Sequence, residues 1–545
     1  MRDPYEIGTG EHRAFWADAV ADEIESRDPD DPIVIKGGVS PSGVPHIGHF
    51  NEIMRGYFVA ESLRERGHEV RQVFTSDDKD RLRTLPRKLA DLEWNVVGLG
   101  EVDAGALGRN LGKPYTDVPD PFGCCDSYGA HFTELLRRAA AAVDVPIEVV
   151  SNTQSYADGE FDAAVEHVLE NREQATTVLS EFQAGVDDDY VPFFPQCSNC
   201  GNLAEEVIAI DLDAGTVDYV CADVDTGDGT IEGCGHEGTA TFRDGKLPWR
   251  FEWVAQWQFL GVDFEPFGKD HAEGSWPSGE RIAREVFGFE PPVPMVYEWF
   301  TLNGEALSSS AGNIITVAEV LELIEVEVFR YFFTKNPKKQ RDFDVSSLDR
   351  LVDEFDRVEA IHYGEVDADE IERERIDRSY PMVVDELSDR RPVRIPYSFA
   401  AVLGMTDDRQ LQVAMATRSG HLPEDATDAE IDAALERIAH ARAWAERTDN
   451  EFNYRLAETL PDVEFDEETE AALDALADYA ESEAPDADSL QGEIYETARR
   501  HDLPVGELFE AGYRLFLEET EGPRLGPFLA ALEAEFVLDR LRREA

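Results

Sequence analysis

Apolar residues follow two spacings along the chain, and the change between them divides the sequence into two parts. In the first part, short apolar runs at 33–35, 69–74, 146–151, 262–267 and 296–300 alternate with helix-like segments such as 161–182. Strands that alternate with helices are typical of a parallel sheet covered by helices. From Val317 onward only helical periodicity is present, which predicts helices at 317–334, 346–363, 428–448, 467–481, 493–502, 505–517 and 525–541.

The loop after the first apolar run, Pro41–His49, is rich in glycine and proline and leads into another helix-like run. A loop that follows a parallel strand and opens onto a helix N-terminus is a common place for phosphate groups to bind. His46 and His49 can each donate from a ring nitrogen to phosphoryl oxygens, and Gly48 allows a nucleotide to approach closely. The four residues His46–His49 alone fit a phosphate site and also a turn with two surface histidines.

Polar groups also follow other predicted strands. Asp77, Asp78 and Asp80 come after the second run, where carboxylates bind an amine, a ribose or a metal, or form a solvated acidic turn. The segment Phe267–His271 ends the fourth run. The loop 303–313 after the last run is rich in serine and glycine, so its hydroxyl and backbone N–H groups are suited to holding phosphates.

The cysteines are spaced as metal ligands rather than as a disulfide framework. Cys197 and Cys200 form one knuckle, a short strand at 217–220 follows, and Cys221 and Cys234 form a second knuckle. This order is typical of a zinc ribbon, and a closed site with four ligands has a structural role. His236 is the alternative fourth ligand.

A second group could also bind zinc. Asp120, Cys124, Cys125 and His131 supply a carboxylate, two thiolates and an imidazole, all of which zinc accepts. From their spacing alone, buried structural cysteines beside a core histidine are the better interpretation.

The net charge of the chain indicates the salt concentration to which the protein is adapted. Asp and Glu number 115 against 50 Lys and Arg, a formal net charge of −65, while 30 Phe, 16 Tyr and 8 Trp indicate a folded protein rather than a disordered acidic one. Molar salt shortens the Debye length to about 3 Å and screens such self-repulsion. We therefore predict adaptation to a salt-filled cytoplasm, the alternative being one acidic protein at ordinary salt. No apolar run is long enough to span a membrane and no signal peptide is evident, so we expect a cytoplasmic protein without a membrane partner.

Together these segments resemble a class I aminoacyl-tRNA synthetase, and in particular the archaeal type of class I lysyl-tRNA synthetase. The resemblance covers nearly the whole chain. It rests on Pro41–His49, Asp77–Arg81, Phe267–His271, Ser308–Asn313, Arg330–Phe332 and Gly522–Gly526.

The resemblance implies an enzyme that activates L-lysine with ATP and Mg²⁺ and transfers it to the 2′-OH of the terminal adenosine of tRNA(Lys), with Zn²⁺ in an inserted region. It implies catalytic roles for His46, His49, Ser308, Ser309 and Ser310. It implies ATP contacts at Pro41, Ser42, Gly43, Gly48, Gly268 and Asp270, and lysine contacts at Gly38, Ser40, Asp77 and His271. It also favours zinc at Cys197, Cys200, Cys221 and Cys234, and at Asp120, Cys124, Cys125 and His131.

One departure from the family concerns the Ser-rich loop. Alanines occupy 306 and 311, where the family signature has lysines that neutralise the leaving pyrophosphate. Three outcomes are open. Mg²⁺ and backbone N–H groups are enough to neutralise the pyrophosphate, or another cation such as Lys269 contacts it, or activity is impaired.

The predicted fold is α/β: a Rossmann-like parallel-sheet catalytic domain with a zinc-ribbon insertion, followed by an all-helical anticodon-binding domain. The predicted boundaries are 1–85 and 86–190 for the first catalytic half and a connective insertion, 191–245 for the ribbon, 246–316 for the second catalytic half, 317–360 for stem-contact helices and 361–545 for the helical domain. Alternatives are a class I synthetase for another amino acid such as glutamate, a catalytically weak tRNA-binding regulator, and an unrelated nucleotidyltransferase. A monomer is compatible with the sequence.

Overall fold

The computed structural model describes residues 3–8, 14–187, 189–226, 229–307, 312–483 and 486–544. Its strands are Ile33–Val39 (β1), Val70–Ser76 (β2), Lys88–Ala90 (β3), Val96–Gly98 (β4), Glu148–Ser151 (β5), Phe194–Pro195 (β6), Glu206–Asp211 (β7), Thr216–Val220 (β8), Val224–Asp225 (β9), Thr230–Ile231 (β10), Glu237–Thr241 (β11), Gly245–Lys246 (β12), Phe264–Gly268 (β13), Val293–Tyr297 (β14), Phe300–Leu302 (β15), Glu305–Ala306 (β16) and Arg341–Phe343 (β17).

The helices of the described residues are Trp16–Glu25 (α1), Ile47–Glu65 (α2), Ala104–Gly108 (α3), Tyr128–Ala142 (α4), Asn152–Asp158 (α5), Asp162–Glu170 (α6), Arg172–Ser180 (α7), Trp249–Leu260 (α8), Lys269–Gly274 (α9), Trp276–Arg281 (α10), Val317–Leu323 (α11), Val326–Thr334 (α12), Leu348–His362 (α13), Glu370–Ser379 (α14), Tyr397–Leu403 (α15), Arg409–Arg418 (α16), Asp428–Thr448 (α17), Glu467–Glu483 (α18), Ala487–Arg500 (α19), Val505–Leu517 (α20), Leu525–Ala531 (α21) and Ala534–Leu541 (α22). None of them is long and apolar enough to span a bilayer.

The chain forms two compact units. The first contains Met1–Glu319, Arg330–Phe343 and Glu370–Val383, and the second contains Val320–Phe329, Asp344–Asp369 and Val384–Ala545.

The first unit is built on a parallel five-stranded sheet in the order β14-β13-β1-β2-β5. Taken along the chain, β1, β2 and β5 are laid down to one side, after which β13 and β14 are added on the other side of β1. The strand order therefore reverses between β1 and β13, and the crevice at the carboxyl ends of two such strands is where open α/β sheets bind ligands. The predicted Rossmann-like sheet is confirmed.

The cysteine-containing insertion is a separate small β structure. The strands β7, β8 and β11 form an antiparallel sheet, and β6 pairs with β12 at its base. This agrees with a zinc-ribbon insertion.

The second unit is helical in all its described regular elements apart from a short 3₁₀ turn, as predicted. A buried arginine organises its first helices: Arg437 of α17 pairs with Asp356 of α13 at 2.7 Å and also with Glu325. The indole N–H of Trp444 donates to the Val345 carbonyl at 2.8 Å. Three different segments are thus held around α17.

Several predicted boundaries were wrong. The predicted helix 161–182 is two helices, since Asn171 leaves helical geometry with ψ of 30°. The predicted helix 525–541 is likewise interrupted where Leu532 becomes extended, and 317–334 is also divided in two. The short strand β17 contradicts the expectation of no strand after Val317, because Arg341–Phe343 pairs in parallel with β15.

Candidate active site

A cavity of about 910 Å³ opens in the crevice between the carboxyl ends of β1 and β13. Most of the predicted nucleotide and lysine residues lie on its wall: Gly38, Ser40, Ser42, His46, Gly48, His49, Asp77, Gly268, Asp270 and His271. Pro41 and Gly43 belong to the same loop but do not line the cavity. Residues separated by more than 200 positions are thus brought to one site by the strand order.

His46 and His49 are held in a defined orientation by the first turn of α2. Nδ1 of His46 accepts the Gly48 N–H at 3.0 Å, and Nδ1 of His49 accepts the His46 N–H at 3.2 Å. Since each Nδ1 accepts, the ring proton of each neutral imidazole is on Nε2. The two rings lie 4.1 Å apart, centroid to centroid. The pair therefore offers two Nε2–H donors fixed by backbone contacts.

Both histidines are neutral at physiological pH. Burial lowers the pKa of His49 to about 4. Burial, and secondarily the neighbouring His49, also lowers the pKa of His46 well below its ordinary value. The donors at this site consequently need no protonation step to function.

Two glycines are required by the geometry of the site. A Cβ on Gly48 would lie 2.7 Å from Cε1 of His46, so a side chain there would displace the imidazole. A Cβ on Gly38 would lie 2.4 Å from the Thr75 hydroxyl on the adjacent strand.

The three aspartates at the end of β2 do not share one role. Asp78 is turned away from the cavity and accepts from the Ser151 hydroxyl at 2.5 Å and the Thr153 N–H at 2.8 Å. Asp80 is on the wall and pairs with the buried Lys246. The acidic cluster is therefore partly structural.

Asp77 is on the wall but already has two amide donors. Asn152 donates to its carboxylate at 2.9 Å and Gln256 at 3.3 Å. Burial raises the pKa of Asp77 to about 6.

Glu52 of α2 is a wall residue that the sequence analysis missed. Its carboxylate accepts the Gly38 N–H at 2.7 Å and the Tyr297 hydroxyl at 3.0 Å. Among the described residues it forms no ion pair, because the nearby Lys36 is paired with Glu265 at 2.8 Å. Burial raises the pKa of Glu52 to about 8. Its one sequence signal is an acid placed one helical turn after His49 in an otherwise buried stretch of helix.

The opposite wall of the cavity is aromatic. His271 stacks on Trp249 at a centroid distance of 5.4 Å. The indole nitrogen of Trp299 lies 3.5 Å from a carboxylate oxygen of Asp270. Asp270 is 59% exposed, so its carboxylate is accessible to a ligand.

The predicted catalytic serines Ser308, Ser309 and Ser310, with Ala311, lie outside the described residues. On one side of them Ala306 and Leu307 line the cavity. On the other side, a Cβ on Gly312 would meet Cε of Lys88 at 3.3 Å. Lys269, the cation proposed from the sequence, instead pairs with Glu298 at 3.4 Å.

The ribbon cysteines converge as a metal site requires. The four Sγ atoms of Cys197, Cys200, Cys221 and Cys234 lie within 4.8 Å of one another. The Asn199 amide donates to Cys234 Sγ at 3.4 Å, and this contact, with the His236 backbone N–H and the neighbouring cysteines, lowers the pKa of that thiol to about 6. His236 Nε2 instead contacts the Ser198 hydroxyl at 3.1 Å. The donor set fits tetrahedral zinc with Cys234 as the fourth ligand.

The second predicted group also converges, with its ligand atoms within 4.8 Å of one another. His131 Nδ1 lies 3.3 Å from both Cys124 Sγ and an Asp120 oxygen, while its Nε2 contacts the Ala90 carbonyl at 2.8 Å. A carbonyl contact of this kind fixes the imidazole of a metal-binding histidine. The geometry therefore fits a metal ion at Asp120, Cys124, Cys125 and His131.

Comparison with known proteins gives concordant matches. The family described as tRNA synthetases class I (K) matches residues 14–383. A protein of Natronomonas pharaonis named lysine–tRNA ligase is 75% identical over 100% of both chains. Proteins with the same name from Haloarcula marismortui and Pyrococcus furiosus are 66% and 32% identical, covering 99% and 97% of this chain and 99% of each relative.

Proposed function

The chain belongs to the class I lysyl-tRNA synthetase family and ligates lysine to tRNA with ATP; from this premise we propose how its site performs the two steps. The observation that carries the assignment is the 75% identity, over the full length of both chains, to a protein named lysine–tRNA ligase. The alternatives of a glutamate enzyme and of a non-catalytic regulator are not favoured.

In the first step, a lysine carboxylate oxygen attacks the α-phosphorus of ATP. The bond from that phosphorus to the bridging oxygen breaks, giving lysyl-adenylate and pyrophosphate. The Nε2–H groups of His46 and His49 donate to phosphate oxygens as charge develops, and Gly48 leaves room for the nucleotide. Mg²⁺, when bound, would neutralise charge on the phosphates.

In the second step, the 2′-hydroxyl of the terminal adenosine of tRNA attacks the carbonyl carbon of lysyl-adenylate. The ester bond forms as the bond from the carbonyl carbon to the phosphate oxygen breaks. The hydroxyl proton passes to a phosphate oxygen of the leaving AMP. Gly268 and Asp270 remain predicted contacts of the adenosine moiety of ATP. Gly38, Ser40 and His271 remain predicted contacts of lysine.

We assign the substrate ε-ammonium to Glu52 rather than to Asp77. Asp80 already pairs with Lys246, and Asp77 is held by two amides. Glu52 faces the cavity with two neutral donors and no cation among the described residues. A carboxylate in that state gains most from a ligand cation, and a glutamate side chain offers it none.

The proposal is tested by charging tRNA that bears a lysine anticodon, with lysine or glutamate, in molar KCl. Charging with lysine alone is expected. Charging with glutamate, or binding of tRNA without charging by either amino acid, would overturn it.

Zinc content tests the metal assignments. We expect two zinc ions per purified chain, one structural ion at each cluster, by elemental analysis. Cys234→Ser is expected to lose one of them because it removes a ligand, and His236→Ala on the same knuckle to keep both. Equal loss of zinc in the two variants would contradict the Cys₄ assignment. A zinc content near one ion per chain in the parent would contradict a metal site at Asp120.

A further inference from the structure

A second cavity of about 370 Å³ opens beside the active site. The two cavities share Asp80, Arg81, Arg83 and Trp249 on their walls. The far wall of the second cavity comes from the zinc-ribbon insertion, including Glu205. Its volume is in the range of sites for small molecules, and a ligand there would adjoin the first cavity at the shared wall.

Arg81 supplies a buried donor that the protein does not use. Its side chain is 5% exposed, and its Nη1 pairs with Glu205 at 2.7 Å. The guanidinium lies over the ring of Phe194, 5.3 Å from the centroid. Its Nη2 is buried without a hydrogen-bond partner in the described part of the chain. An unsatisfied buried N–H is costly, and an acceptor on a ligand in the cavity would satisfy it.

The charge of this cavity is unusual for the protein. The side chains on its wall include the four cations Arg81, Arg83, Lys246 and Arg250 and three carboxylates. In the whole chain, by contrast, acids outnumber bases by 115 to 50. Arg83 is exposed at the opening and forms no ion pair with a described residue, so its planar guanidinium is available to a phosphate.

The cavity also offers an aromatic surface. The half-buried ring of Tyr190 lines it and, within the described ranges, stacks on no other aromatic ring. Unpaired bases of RNA stack on such rings, and their edges accept hydrogen bonds from arginine.

We propose that this cavity binds the base of the 3′-terminal adenosine of tRNA, stacked on Tyr190, with Arg81 Nη2 donating to the base and Arg83 pairing with its phosphate. The proposal rests on the proposed function, since the ribose of that nucleotide must then face the active-site cavity. It assigns the zinc-ribbon insertion a direct part in tRNA binding, because the ribbon forms one wall of this cavity.

The test compares the binding of two tRNAs in molar KCl by fluorescence anisotropy: one complete, and one lacking only its terminal adenosine. The parent is expected to bind the truncated tRNA about tenfold more weakly, the effect of losing one stacked base. In Arg81→Gln, Arg83→Gln and Tyr190→Leu this ratio is expected to fall toward one. Arg109→Gln, an exposed arginine outside both cavities, should keep the parent ratio.

The assay separates the two proposals. The terminal-base site alone would be overturned if the parent charged tRNA with lysine but the ratio of its affinities for complete and truncated tRNA equalled that of Arg83→Gln and Tyr190→Leu. A loss of affinity that appears only when the second nucleotide is also removed would overturn it too. Arg83 is exposed, so a folding failure of Arg81→Gln would leave the test intact. A parent that charges no tRNA with lysine would overturn the proposed function instead.

Discussion

Replacing Glu52 by glutamine is expected to lower kcat/KM for lysine by about 10²–10³-fold, the effect of removing one partner of a buried charge pair. Glutamine keeps the size of the side chain. Its amide oxygen can still accept the Gly38 N–H, and its NH2 group can donate to the Tyr297 hydroxyl, so the fold should be unchanged. Initial rates of tRNA charging at varied lysine concentration measure the effect.

Asp77→Asn is the matched control, because it removes a charge from the same wall. The Asp77 carboxylate is already held by Asn152 and Gln256, so we expect a change of less than about tenfold. The assignment of the ammonium to Glu52 would be wrong if Asp77→Asn were the more damaging of the two.

His49→Ala is expected to lower kcat by about 10²–10³-fold with a much smaller change in KM for lysine, since an oriented donor acts mainly on the transition state. The variant removes the His49 donor and also the acceptor of the His46 N–H, so the His46 donor loses part of its support. His68→Ala provides a control: this histidine lies outside the cavity, where it contacts Glu25 and Asp31. A kcat of His49→Ala within about threefold of the parent value would contradict the proposed contact between the histidines and the phosphates.

The sequence predicted the position of the site because its signals are local. His46, Gly48 and His49 follow a strand and open a helix within a few residues, and Gly268 to His271 end another strand. The chain order of strands and helices then implied a parallel sheet, and the carboxyl ends of parallel strands share one edge. The cysteine knuckles were recognisable for the same reason.

Glu52 could not be predicted, because its environment comes from distant segments. Its carboxylate is held by the backbone of β1 and by Tyr297, 245 positions further along the chain. Within its own helix it resembles any acid in an acidic protein. Whether Asp77 or Glu52 is left without a cation depends on Lys36 and Lys246, whose partners are set by tertiary packing.

The missed strand and the divided helices have a related origin. β17 reads Arg-Asp-Phe, which has no strand pattern, and it is extended because it pairs with β15. Helical periodicity continues across Asn171 and Leu532 although the backbone leaves the helix there, since spacing alone does not register a single changed dihedral angle.

The pH dependence of kcat/KM for lysine tests the central claim, that Glu52 receives the ammonium group. Only ionised Glu52 can pair with the ammonium, and burial raises its pKa in the free enzyme to about 8. With saturating ATP and tRNA in molar KCl, kcat/KM for lysine is therefore expected to rise about tenfold for each pH unit up to about 8 and then to level off. The neutral histidines add no inflection near pH 6.5, since the pKa of His49 is about 4 and that of His46 is also strongly lowered. A kcat/KM that stays constant between about pH 6 and 8.5 would contradict the assignment.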